Sequence, residues 1–305
     1  MHYRLLPAFA RSSARTGLLR KPNHGMKTRP IIFSLLLATN LGLARAEWRF
    51  DAETGALYNS NLSNSDRASD VRDDWAWVSN ARIGNAFQLS RDLRLNVGAD
   101  VRGEVWDRFG AFNEIGTGFS SGLRYRFGLG RQSPWVLLEN RFGYDRFQNT
   151  AQSGCDEVVS LRGGIGLTER IALEGGYGFE NFVAPDDFYD RQEHRGNVRL
   201  IVDLASSVQV AVGYNYREGD VISYAVPPRP DIAPFAIERE NEDKFGNPLR
   251  TAYKLLGWTH AVSLSMACQL SKYATIQVDY EYAVTLHDPL RYENHLVATK
   301  IAFAY

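Results

Sequence analysis

The feature that most constrains this chain is strict two-residue alternation, and it is clearest at the end. Val297, Thr299, Ile301, Phe303 and Tyr305 fall on one face, and Ala298, Lys300, Ala302 and Ala304 on the other. Period two is the signature of a strand wetted on one side only. From Glu47 onward the same grammar repeats, with ranges of roughly 48–59, 74–89, 93–106, 117–127, 135–147, 157–167, 171–182, 193–204, 208–224, 258–270, 274–286 and 292–305. Short connections (90–92, 128–134, 168–170, 205–207, 271–273) alternate with longer ones (60–73, 107–116, 148–156, 183–192, 225–257, 287–291). An even number of strands with short turns at one rim and long loops at the other predicts an all-β, transmembrane, antiparallel up-and-down barrel of about 12 strands.

Proline tests this layout because it cannot donate to a ladder. Prolines 134, 185, 227, 228, 230, 234, 248 and 289 all fall in expected turns or loops. Each strand also has an apolar face, such as Leu93, Leu95, Val97, Ala99 and Val101. Aromatics gather at the strand ends, where interfacial belts belong: Trp75, Trp77, Tyr144, Phe179, Tyr216, Trp258 and Tyr282 at the long-loop rim; Phe50, Phe87, Phe127, Phe303 and Tyr305 at the other. A soluble sandwich would alternate too, but it would not sort its turn lengths by rim.

The first 46 residues follow different rules. Lys27 and Arg29 precede an apolar run, Ile31 to Leu43, and Ala44-Arg45-Ala46 offers small residues at a cleavage site. Residues 1–46 therefore read as a leader with a signal peptide whose start is Met26, followed by a single barrel domain, 47–305. The leader holds eight basic residues and no acid, so its removal leaves 27 basic residues against 35 acids, a net charge of −8. A nucleic-acid partner is not expected without a concentrated basic surface. Cys155 and Cys268 fall near opposite rims and are expected to be unpaired, although export permits disulfides.

The second face of each strand would line the lumen. It carries Arg82, Arg94, Asp100, Arg102, Glu104, Arg124, Arg126, Glu139, Arg141, Arg162, Glu174, Arg199, Asp203, Arg217, Asp279 and Glu281, with Lys300 on the last strand. Arginine suits fixed bidentate pairing with carboxylates. Two readings follow: cross-strand pairs that plug the interior, or a narrow pore whose opposed charges orient small polar or charged solutes. Inward glycines such as Gly98, Gly122 and Gly176 leave room and favour the pore. Stretch 225–257 is the longest irregular one, and its charged run, Glu238 to Lys244, is that of a solvated loop, a constriction or a contact surface. A non-conducting barrel acting through its extracellular loops is the alternative function.

No enzyme signature emerges. An outer-membrane phospholipase needs a serine two positions after a histidine, and none of the six histidines has one. His287-Asp288 with Asp186 and Asp187 is similar to the acidic and histidine pairs of omptin proteases, but the spacing differs. Asp186, Asp187 and Asp190 read as solvated acids rather than a calcium site, and no zinc spacing or phosphate loop is present. No cofactor or metal is implied.

Two patches carry a family resemblance. Val297 to Tyr305 resembles the C-terminal insertion signal of Gram-negative outer-membrane proteins. Gly55-Ala56-Leu57-Tyr58-Asn59-Ser60-Asn61-Leu62 looks like the first strand of β-barrel porin families. The resemblance implies a bacterial outer-membrane location, outer-membrane lipid and the barrel-assembly machinery as partners, and a porin-like role without naming a solute. A similar first strand occurs in barrels that export surface lipoproteins, but the helical repeat domain that usually precedes them is not seen in this sequence.

Overall fold

A computed structural model of the protein describes residues 47–130 and 132–304; the leader, Arg131 and Tyr305 lie outside the described residues. The strands are β1 (Glu47–Asn59), β2 (Asp74–Gln88), β3 (Leu93–Trp106), β4 (Glu114–Arg126), β5 (Trp135–Phe147), β6 (Gly154–Gly166), β7 (Ile171–Val183), β8 (Arg191–Ala205), β9 (Val208–Ala225), β10 (Ile237–Glu242), β11 (Arg250–Gln269), β12 (Ala274–His287) and β13 (Leu290–Ala304). Neighbours pair antiparallel in chain order. Strand β13 pairs with β1 (Asp51↔Ala304 through Asn59↔Leu296), and β9 pairs directly with β11, leaving β10 attached outside the ring. The result is a closed barrel of 12 strands with one extra strand, so all edges but that of β10 are paired.

The alternation explains which way each strand faces. Val101, Ile115, Phe119, Phe142, Leu161, Val212 and Val262 are exposed on the outer wall, a distribution that suits a lipid-facing band. Trp75, Trp77 and Tyr144 are exposed at one end of that wall, and Phe50, Phe127 and Phe303 at the other. In the last strand, Val297, Thr299, Ile301 and Phe303 share the outer phase, and Tyr305 lies outside the described residues. Both cysteines are free: Cys155 at the start of β6, and Cys268 near the far end of β11.

The structure corrects the expected layout at the long-loop rim. Strands β4 and β6 each begin three residues earlier than the alternation suggests, because Glu114 and Gly154 still pair with Phe147 and Asp145 of β5. Connection 287–291 is not long: His287 pairs with Leu290, leaving only Asp288 and Pro289 as the turn. The largest correction concerns 225–257. Instead of an irregular loop, β11 starts at Arg250 and pairs with the end of β9 (Thr251↔Ala225 to Gly257↔Gly219) on one edge and with β10 (Ile237↔Lys254 to Glu242↔Arg250) on the other. The charged run is thus mostly strand. Its polar side chains find partners on neighbouring loops, which composition alone does not reveal.

This three-stranded extension caps the long-loop mouth. Alternation along its strands sends neighbours to opposite faces. Tyr224 and Ala252 belong to a buried cluster with Phe182, Phe188, Tyr189 and Phe245, against which Phe112 and Phe147 pack. Ala225 and Tyr253 belong to a second, with Ile232, Leu255, Leu290 and Tyr292. Because Phe147, Phe182 and Tyr292 are inward-facing residues of β5, β7 and β13, the cap packs into the mouth rather than projecting from it.

Candidate functional site: a chambered lumen

The lumen wall is built of ion pairs, several of which reach over one or two intervening strands. Arg141 on β5 grips Asp100 on β3 with two hydrogen bonds, Nε at 3.1 Å and Nη2 at 2.9 Å, and pairs with Asp156 on β6 through Nη1. Arg102 donates to Asp145 at 2.6 Å and lies 3.7 Å from Asp156. Arg82 donates to Ser120 at 2.8 Å, with Glu139 at 3.8 Å, and Arg162 reaches that same Glu139 at 2.6 Å. Further round, Arg199 binds Glu174 at 2.6 Å, Arg195 binds Glu180 at 2.7 Å, and Arg217 holds Glu281. Asp279 accepts two bonds from Gln277, Asp203 accepts one from Gln209 at 2.9 Å, and Glu104 stands opposite Glu114 in register.

Arg94, Arg124 and Arg126 differ from the rest. They lie near the short-turn mouth, where Arg94 and Arg124 are direct cross-strand partners. Arg124 stacks on the inward ring of Trp135, 4.6 Å from its centroid, and Arg126 donates to the Gly130 carbonyl. None of the three has an ion-pair partner among the described residues.

The inward glycines do not simply leave empty room. A Cβ at Gly116 would meet Arg102 and Asp145, one at Gly118 would meet Arg141, and one at Gly143 would meet Asp156 and Arg141. The small residues let long guanidinium side chains lie flat along the wall, so the middle of the barrel keeps a cavity of about 680 Å³. It is lined by Arg82, Arg102, Glu104, Glu114, Asp279 and Glu281 among others. A side pocket of about 250 Å³ opens behind Arg82 and Arg102 toward Ser120, Glu180 and Arg195.

Above the middle chamber, toward the cap, lies another of about 330 Å³. The strands run continuously from one to the other: Asp279 and Glu281 of β12 line the lower, Ala283 and Thr285 the upper, and Leu296 of β13 lines both.

Buried cations hold the cap in place. Lys244, its side chain fully buried, donates to the Tyr224 hydroxyl at 2.7 Å and sits 4.3 Å from the Tyr189 ring centroid and 5.7 Å from that of Phe112. Burial pushes its ammonium down to about 8, against the opposing pull of Glu242 at 3.6 Å. Arg229, whose side chain is also fully buried, binds Asp66 of the β1–β2 loop through Nη1 at 2.7 Å and Nη2 at 3.0 Å, and binds Asp231 at 2.7 Å. The Arg229 hydrogen bonds hold Asp231 down to about 2. Burial works against the Arg229 charge, but its bonds to Asp231 and Asp66 outweigh it and raise the guanidinium above its ordinary value.

All 16 lumen residues named from the sequence lie on inward-phase positions. Glu114 and Asp156, both assigned to loops, were missed, although each continues the inward parity of its strand. Arg195 was missed too. Lys244, Arg229 and Glu242 carried no period that could have marked them. The rim acids do not assemble as the omptin comparison would require. Asp186 accepts from Phe188 N at 3.0 Å and pairs with Arg239, Asp190 accepts from Ala184 N at 2.7 Å, and His287 bonds the Leu256 carbonyl and stacks on Trp258.

No family model and no curated protein sequence matches the chain. Among solved structures, it is similar to an outer membrane channel of Pseudomonas putida, with 11% identity, a TM-score of 0.57, and coverage of 85% of this chain and 95% of that one. It is also similar to the NanC porin, with 11% identity, a TM-score of 0.45, and coverage of 83% and 98%. At such identities the likeness is one of fold: the chain has the architecture of outer-membrane β-barrel channels.

Proposed function

We propose that this protein resides in the bacterial outer membrane as a channel for small polar or charged solutes, and is not an enzyme. Outer-membrane lipid and, during insertion, the barrel-assembly machinery are its partners. The observation that carries this reading is the middle chamber of about 680 Å³, lined by paired charges of both signs. Fixed guanidinium and carboxylate groups replace part of a solute's hydration and set its charge preference. Arg94, Arg124 and Arg126, with no carboxylate partners among the described residues, give the short-turn mouth a positive potential that draws anions in.

The test is single-channel recording of refolded mature protein in a planar bilayer. Discrete steps are expected, with Arg124→Ala and Arg102→Ala each shifting the reversal potential under a salt gradient. A folded but silent barrel would favour the alternative, a non-conducting barrel acting through its loops. The cap gives that alternative its own support, because it packs into the mouth.

A further inference from the structure

The upper chamber differs in chemistry from the one below. Rings of Phe112, Phe147, Phe182, Tyr189, Tyr224 and Tyr292 form its wall. At about 330 Å³ it falls at the small end of the range for small-molecule sites, which are mostly apolar with a few convergent polar groups.

Three of its polar side chains, Arg191, Gln152 and Arg217, have donors without acceptors. The Arg191 guanidinium lies over the Phe182 ring, 4.7 Å from its centroid, with no ion-pair partner among the described residues. The Gln152 amide nitrogen is buried beside the Tyr189 hydroxyl without a hydrogen bond of good geometry, and the Arg217 Nε is buried without one. The acids in the wall are already engaged: Glu193 with Arg195, and Asp220 with the Gln192 N–H at 3.1 Å and with Lys254. The buried Gln152 and Arg217 donors are costly to leave without acceptors, and a charge-assisted bond from the exposed Arg191 guanidinium to a carboxylate is strong. Lys244 lies over the Tyr189 and Tyr224 rings of the wall and holds them by cation–π contacts.

We propose that this chamber is a recognition site for a small aromatic acid, a single ring carrying one carboxylate. The ring stacks among the six aromatic side chains, and the carboxylate accepts from the exposed Arg191 guanidinium. The proposal deepens the channel reading and rests on it for its place on a solute route, but binding stands or falls independently.

The test uses the mature protein folded in detergent and isothermal titration with benzoate, cyclohexanecarboxylate and benzyl alcohol. Saturable benzoate binding is expected, about fivefold tighter than cyclohexanecarboxylate because the saturated ring loses aromatic stacking. Arg191→Gln is expected to weaken benzoate about tenfold and leave benzyl alcohol unchanged. Arg191 is exposed at the start of β8, so the variant keeps its barrel, which heat-modifiable migration checks. No saturable benzoate binding, equal affinity for both acids, or an Arg191→Gln variant that binds benzoate as before would each overturn the proposal. Benzoate binding without conductance would sink the channel reading alone, and conductance without benzoate binding would sink this one alone.

Discussion

The middle lumen and the cap use the same residue types, yet they place them under opposite physical conditions. On the wall, Arg199 is 52% exposed and Arg162 46%, and each binds a carboxylate directly at 2.6 Å. In the cap, the side chains of Lys244 and Arg229 are fully buried, one among rings and one between two aspartates. An exposed pair is screened and loses side-chain entropy, so it contributes little stability and its charge stays open to solvent. A desolvated cation needs its partners in place, and removing a partner from such an arrangement is costly. The exposed wall charges, unlike the largely buried wall pair of Arg141 with Asp156, are therefore open to solvent, whereas cap charges fix a shape.

The strongest way to break this comparison is Arg229→Met. It leaves Asp66 and Asp231 facing each other without their shared cation, and it is expected to lower the local opening free energy of segment 226–249 by about 2–3 kcal/mol. Hydrogen exchange of that segment measures the loss, while the barrel strands should keep their protection. Undisturbed exchange in 226–249 would mean that the cap is not pinned there. Since Asp231 is held at about 2 in the folded cap, its contribution is complete above the ordinary aspartate range and is lost as pH falls toward 2.

Lys244→Met should cost less than Arg229→Met, no more than about 1 kcal/mol, because the lost cation–π contacts and Glu242 attraction are offset by relief of the burial that pushes the ammonium down. A pH series sharpens this expectation. The folded cap releases the Lys244 proton near pH 8, whereas the unfolded segment keeps it up to about 10.4. Between those values the unfolded state binds more protons, so the stability of the cap rises with pH. Protection of 226–249, corrected for intrinsic exchange, should therefore increase from pH 8 toward 10 in the wild type and stay flat in Lys244→Met. A fall over that range would contradict the assigned burial.

The smallest effect belongs to the wall. Arg199→Ala is expected to change thermal unfolding by no more than about 0.5 kcal/mol, since its pair with Glu174 is solvated. A loss comparable with that of Arg229→Met would erase the distinction between the two regions.

How much was legible follows from the same contrast. The barrel could be read because its rule is local: an apolar outer face and a polar inner one alternate side chains every second residue, and proline is expelled from the ladder. The parity that places Arg82, Arg102 and Arg141 inward needs no knowledge of the partner strand. It also could have recovered Asp156, two positions before Val158 and in phase with Arg162. The cap follows no such rule. The partners of Lys244 come from three other segments, Phe112, Tyr189 and Tyr224, and those of Arg229 include Asp66, 163 residues away. A run such as Glu238 to Lys244 looks solvated because composition records charge but not what will enclose it.

The sequence alone thus determined the strands, their facing and the closed barrel, since period two sets an apolar outer and a polar inner face residue by residue. Only the tertiary structure decided that 225–257 becomes strand and plug, that glycines seat arginines along the wall, and that an aromatic chamber sits beneath the cap. Those features depend on contacts between segments distant in the chain, whose desolvation and shape are set only when the barrel brings them together.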